Sequence, residues 1–509
     1  MLRCRRVQLN RPPAPALLSR LVLLGVAIEC GFGLMLLHPP GPGRVSGWLV
    51  LFFAAFACYA LAARAALRQD ADGAKPVLRV ILGFAILFRL TFLFASPALS
   101  NDLYRYLWDG RQTLAGANPY GEAPAARGGT PAAGRETPAV RGIVETSAER
   151  GAAATQDPDL ARMDHADVPT VYPPAAQALF ALGAAPGRGV QGIKTVVVVA
   201  DLLLIGALLA LMRRRAVPDV RVLIYAWSPL AVTEAAWSGH LEPAGALCVI
   251  LAGTALIARR EAVAVLFLAM GGLVKLFPLV LFAPLVRSIR ARFTALALLL
   301  FLVAWWPFRA AGPGLVAGLS EYAGRWLGNE SLFGLAHAAI AWIDPTPALK
   351  AAITLARRHV PHSGALDPLY GWVYPIDLAK GACALAALGV AAWLVRRRAE
   401  LLRGMYLMTG AVLLLSPTAH PWYFLWILPW LCLFPSVPWI LLCGLVPLAY
   451  VNLGAPGREL EPYPWIRLVE YLPFFTMLIL EWLRGERRGI GSPGRAGEAP
   501  PSVAGSAAG

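Results

Sequence analysis

The stretch Ser100-Asn-Asp-Leu-Tyr-Arg-Tyr-Leu-Trp-Asp-Gly-Arg111 combines acids, cations and aromatics at helical spacing. Ser100 or Asn101 can cap a helix start. Asp102, Arg105, Tyr106 and Asp109 then recur at i, i+3, i+4 and i+7, which is one helix face. Leu103, Leu107 and Trp108 supply apolar contacts elsewhere on the same turns. The pattern predicts a short helix on a membrane surface, carrying a carboxylate beside a guanidinium. A carboxylate there can take a proton from a hydroxyl, and a cation can hold an anionic leaving group. A solvated interfacial helix with an internal ion pair would have the same spacing. Gly116, Asn118 and Pro119 form a turn that leads to Tyr120.

The rest of the chain decides what must position this helix. Of the 509 residues, 58% are hydrophobic and only 15% are charged, against roughly 25% charged in a soluble chain. This excludes a soluble enzyme, a disordered protein and a disulfide scaffold. The seven cysteines are scattered and mostly within apolar runs, so they read as small buried residues. Forty-six Lys and Arg outweigh 30 Asp and Glu, a net charge of +16. The Arg residues fall in clusters beside apolar runs, as the positive-inside rule describes, and not in a basic domain with interleaved aromatics. No nucleic-acid partner is expected.

Apolar runs long enough to span a bilayer, about 20 residues each, predict an all-α polytopic transmembrane bundle of about 12–14 spans. Segment 1–99 holds three: 16–37, 47–67 and 77–98. Segment 100–189 is a first outer loop, with a structureless Ala/Gly/Pro/Thr/Arg-rich insert at 123–156. Segment 190–311 holds central spans at 190–212, 220–238, 243–258 and 293–311. Its run 262–286 has Arg at both ends and reads as a hairpin with Lys275 at its tip. Segment 312–375 is a second outer stretch. Segment 376–483 holds the last spans (376–395, 401–416, 420–434, 438–452 and 466–483), and 484–509 is a disordered tail. The Arg-rich N-terminus, Arg213–Arg215, Arg396–Arg398 and Arg484–Arg488 then share the cytoplasmic side. Both termini lie inside, the loaded helix faces out, and the membrane is a plasma or inner membrane. Glu29, Arg89 and Asp201 fall mid-span, each costing about 2.5–3.5 kcal/mol unless paired. Arg89 is expected to pair with Glu29 or Asp201.

Several motifs recur in order. Asp102 to Arg111 with Gly116-Ala-Asn-Pro-Tyr120 resembles the first outer loop of GT-C glycosyltransferases. The similarity is strongest to glycosyltransferase family 87 and its polyprenol-phosphate-mannose-dependent relatives. Asp167-Val-Pro-Thr-Val-Tyr172-Pro-Pro174 resembles the end of that loop. Trp237-Ser-Gly-His240-Leu-Glu242 resembles a Gly-His-Asn-Asp stretch, with Leu and Glu in place of Asn and Asp. Lys275-Leu-Phe-Pro278 resembles a Lys-Phe-Phe-Pro hairpin. Tyr322 to Trp326 and Asn329 to Phe333 resemble the second outer loop. Ser416 to Tyr423 and Arg467 to Pro473 complete the series. The stretch 123–156 exceeds the family's usual loop.

The resemblance implies transfer of a hexose, mannose foremost, from a polyprenyl-phosphate donor to a glycan or glycolipid acceptor, with inversion and without a cofactor. Asp102 matches the family's catalytic base. Arg105, Lys275 and His420 compete for the donor phosphate. Asp109, Trp108, Arg111, Asn118, Tyr120, Tyr172, His240, Glu242, Trp422 and Tyr423 are candidates for acceptor or sugar contacts. Asp109 fits equally as the partner of Arg105. Lys275 reads also as a snorkelling lysine, His240 and His420 as structural histidines, and Trp108, Trp422 and Tyr423 as interface aromatics. No metal site is expected, since His240 with Glu242 is too thin a ligand set. A secondary transporter or lipid flippase is the alternative, for which broken helices near the midplane would speak.

Overall fold

The computed structural model describes residues 14–41, 43–68, 75–127, 158–359, 363–453 and 463–487. Every regular element among them is helical, with one isolated bridge pairing Gly328 and Thr418. Six helices are long and apolar enough to cross a membrane: Ala16–Leu37, Val45–Leu67, Lys75–Leu93, Val190–Arg214, Ala291–Ala311 and Pro375–Arg396. This is the make-up of a multi-pass membrane protein. In Ala291–Trp305 only Ala297 is buried, and so continuous an apolar surface belongs in lipid or against a partner.

The elements that bear on the site are α1 (Ala14–Leu37), α2 (Val45–Leu67), α3 (Lys75–Leu93), α4 (Asp102–Leu114), α5 (Pro174–Ala184), α6 (Val190–Arg214), α7 (Glu242–Ile257) and α8 (Glu261–Val274). Beyond them lie α9 (Ala291–Trp305), α10 (Gly314–Arg325), α11 (Leu332–Ile343), α12 (Thr346–His359), α13 (Pro375–Arg396), α14 (Leu401–Leu415), α15 (Val437–Leu445) and α16 (Pro464–Arg487).

Other apolar runs are short or broken. The pair Pro229–Trp237 and Glu242–Ile257 bends by 118° across its break. The run 262–286 does break at Lys275, which is extended (φ −150°, ψ 139°), before a 3₁₀ turn at Phe277–Leu281. Pro278 disfavours helix at the residue before it and offers no N–H. Prolines 421, 429, 438 and 447 likewise open short helical pieces where the runs 420–434 and 438–452 read as single spans. Apolar content sets immersion, while proline placement cuts the helices. Segment 312–375, expected on the outer side, is helical through α10, α11 and α12. Of the insert 123–156, Pro124–Arg127 is a 3₁₀ turn, and 128–156 lies outside the described residues. So do Arg3, Arg5, Arg6, Arg11 and 488–509.

Arg89 pairs with Asp201, at 2.6 Å from its Nε, both fully buried. The Tyr225 hydroxyl donates to the same carboxylate, and Arg89 Nη1 donates to Ala226 O at 2.6 Å. Glu29 instead accepts from Thr91. Lys194 caps the end of α3 by donating to Phe92 O and Ala95 O, each at 2.6 Å.

Candidate active site

The loaded stretch forms α4, but not as a half-immersed surface helix: Leu103 to Gly110 are all buried. Gly110 permits this. A Cβ there would stand 2.4 Å from Phe180 O, so only glycine lets α5 lie against α4. At the N-terminus, Ser100 Oγ accepts from Asp102 N at 3.2 Å. The Asn101 side chain points elsewhere and donates to Asp164 Oδ1 at 3.1 Å.

Asp102 lies on the wall of a cavity of about 1070 Å³, at the upper end of ordinary ligand pockets, roughly 300–1,000 Å³. Arg105, Tyr172, Lys275, His420, Trp422 and Tyr423 also line it. Thus α4, the loop before α5, the break after α8 and the turn after α14 all contribute. Three contacts meet at Asp102 Oδ2. Tyr106 donates at 3.3 Å, the Tyr172 hydroxyl lies at 3.4 Å, and His240 Nδ1 lies at 3.6 Å. The carboxyl keeps 30% of its surface open. Burial pushes it above the usual carboxylate range, opposed by the nearby Lys275 cation and reinforced by Asp164; the Tyr106 and Tyr172 hydroxyls pull it down. Burial holds the Tyr172 hydroxyl far above its ordinary range, so it remains a donor.

Arg105 is braced by Asp109, at 3.0 Å from its Nε, and donates from Nη1 to Val168 O at 2.9 Å. Its Nη2 is buried without a hydrogen-bond partner. Asp109 is buried, and it ties α4 to the following loop by accepting from Thr170 at 2.5 Å and Gln177 at 3.3 Å. Lys275 pairs with the fully buried Glu242 and stands 5.0 Å from the Tyr423 ring centre. Tyr423 and Tyr322 share a hydroxyl contact of 2.5 Å. The His240 ring stacks on Trp422 at 4.2 Å, and His420 stacks on it at 4.6 Å.

The remaining expected residues stand back from the cavity. Trp108 packs with Tyr104, Leu160 and Met163. Arg111 pairs with Asp159 at 2.8 Å. Asn118 donates to Phe308 O at 2.9 Å and accepts from Tyr120 N. The Tyr120 hydroxyl donates to Tyr172 O at 2.7 Å. Their contacts hold the loop that presents Tyr172.

Residues not among the expected site residues also gather here. Asp164, His165 and Trp326 line the cavity, with His165 at φ +52° and its ring tilted against that of Trp326, centres 4.2 Å apart. Glu234 lies beyond His240, its Oε2 3.4 Å from Nε2. Its sequence signal was a lone acid within the apolar run from Pro229 to Trp237, since ionisable groups in such runs mark function. Among the described residues, no three His, Cys, Asp or Glu side chains gather as a metal site.

No protein-family model matches the chain, and no curated protein or solved structure is significantly similar to it.

Proposed function

We propose that this chain is a membrane glycosyltransferase of GT-C type, moving a hexose from a polyprenyl-phosphate donor to a glycan or lipid acceptor. The observation that carries this reading is a single cavity shared by one poised carboxylate, three basic groups and stacking aromatics. Asp102 takes the proton of the acceptor hydroxyl as that oxygen bonds to the anomeric carbon. The bond from that carbon to the phosphate oxygen breaks on the opposite face, and polyprenyl phosphate leaves with the electron pair. The Arg105 and Lys275 cations attract that phosphate, with His420 as a neutral donor. Trp422 and Tyr423 offer apolar faces to sugar rings. The cavity has room for a donor head group and an acceptor sugar together. Under this reading the cavity faces outside, the Arg clusters lie inside, and the shorter helices complete a bundle of about 12–14 crossings. The protein then resides in a plasma or inner membrane.

The test is incubation of membranes carrying the protein with labelled polyprenyl-phosphate hexoses. Wild type transfers label, while Asp102→Ala and Asp102→Asn, at equal protein level, lose it. Substantial transfer by either variant removes Asp102 from its role. The 118° break and the hairpin at Lys275 also suit a transporter. Lipid movement across vesicles that survives Asp102→Asn, without label transfer, would favour that reading.

A further inference from the structure

His240 is fully buried, and each of its ring nitrogens faces a carboxyl. Nδ1 stands 3.6 Å from Asp102 Oδ2 and Nε2 stands 3.4 Å from Glu234 Oε2. Trp422 covers the ring face. Neither nitrogen has another hydrogen-bond partner, so these two acids are what the imidazole has to work with. Both lengths exceed a settled hydrogen bond, as is common before substrate tightens a catalytic constellation.

The backbone is built for this contact. Thr233–Trp237 is a single π-helical turn, a widening frequent at functional sites. It turns Glu234 inward, and the Glu234 carbonyl accepts from His240 N at 3.0 Å. The Tyr450 hydroxyl donates to Glu234 Oε1 at 2.8 Å, and the Ser238 hydroxyl lies beside the same carboxyl. Glu234 is fully buried and makes no ion pair with Lys or Arg among the described residues.

A neutral imidazole has one N–H and one lone pair. Two bare carboxylates cannot both be satisfied by it. Asp102 opens to the cavity, starts a helix and receives the Tyr106 hydroxyl, all of which favour its charge. Glu234 has none of these except a donated hydroxyl, and an unpaired buried charge is costly.

We infer that Glu234 is a positioning residue for Asp102. It carries a proton and gives that hydrogen bond to His240 Nε2, so the ring presents its Nδ1–H to Asp102 Oδ2. The carboxylate is then aimed by Tyr106 and His240 together, with its other oxygen left for the acceptor hydroxyl. This rests on the glycosyltransferase reading for its consequence, but not for its geometry.

The test has a spectroscopic arm and a kinetic arm. In protein carrying ¹⁵N-histidine, reconstituted in lipid, the His240 signals are assigned by their loss in His240→Asn. The expected spectrum shows protonated Nδ1 and bare Nε2. Protonated Nε2 with bare Nδ1, or an imidazolium, overturns the inference, and this result needs no activity. In the kinetic arm, initial rates are measured against polyprenyl-phosphate mannose concentration. Glu234→Gln offers its amide N–H in place of the carboxyl proton, and should keep kcat within about threefold. Glu234→Ala should lower kcat about 10–100-fold, the scale of losing a group that orients a reacting residue, with KM unchanged. A Glu234→Gln variant that folds and loses as much as Glu234→Ala overturns the inference, as does a loss confined to KM. If wild type transfers no label while the spectrum is as expected, the enzyme reading fails and the tautomer assignment stands.

Discussion

Gly239 offers the most direct check on how closely the elements of the site pack. It has φ +70°, and a Cβ there would stand 2.6 Å from Leu103 Cδ2, 3.0 Å from Cγ and 3.1 Å from Cδ1. Gly239→Ala therefore incurs two costs. The left-handed backbone costs about 1–2 kcal/mol with a Cβ present, and overpacking adds about 1–3 kcal/mol. Restoring an ordinary contact of 3.4 Å from 2.6 Å needs a displacement of about 0.8 Å. Leu103 follows Asp102 and Gly239 precedes His240, so the relief falls on the 3.6 Å contact between those two side chains. A misplacement near 1 Å costs about 10²-fold in rate. Gly239→Ala should thus lower the thermal midpoint in detergent and reduce label transfer about 100-fold per folded molecule.

Leu103→Ala removes the steric part but not the backbone part. In a double-mutant cycle the pair should show a favourable coupling of about 1–3 kcal/mol, with partial return of transfer. Gly239→Ala indistinguishable from wild type in both measurements would refute the close approach. A double variant no better than the sum of its singles would refute Leu103 as the obstructing group.

Three more outcomes are expected. The acid limb of kcat/KM against pH should report a carboxyl titrating above the ordinary aspartate range, because burial raises Asp102; the base works ionised, so activity is lost as pH falls through that value. A limb at or below the usual range, measured with a buffer-matched stability control, would contradict the burial. Lys275→Met should destabilise by about 3–5 kcal/mol, because it leaves Glu242 buried and unpaired; adding Glu242→Gln should restore the thermal midpoint without restoring transfer. Arg89→Leu alone should cost about 3–5 kcal/mol through Asp201, while Arg89→Leu with Asp201→Leu should recover most of it, read as accumulation and melting in detergent.

Some of these features were legible in sequence because they are local. The spacing of Asp102, Arg105, Tyr106 and Asp109 makes a helix, and the i,i+4 pair of Arg105 with Asp109 forms at 3.0 Å. The break at Lys275 was expected from the Arg at both ends of its run. Immersion of Arg89 demanded a carboxylate, and both candidates were in view. Helix continuity read less well, since each proline-cut run has the composition of a span without its length.

Composition and period thus determined an apolar helical chain with one helix that gathers acids, a cation and aromatics, because burial preference and the 3.6-residue repeat act over neighbouring residues. Tertiary structure decided the rest. It selected Asp201 over Glu29 by distance, and it set Trp108, Arg111, Asn118 and Tyr120 back as supports. It joined Asp102, Glu234, His240 and Tyr450 through a π turn and a glycine with no room for a methyl group. No pairwise spacing encodes that meeting. It arises when distant helices pack closely enough that buried polar atoms must find partners in one another.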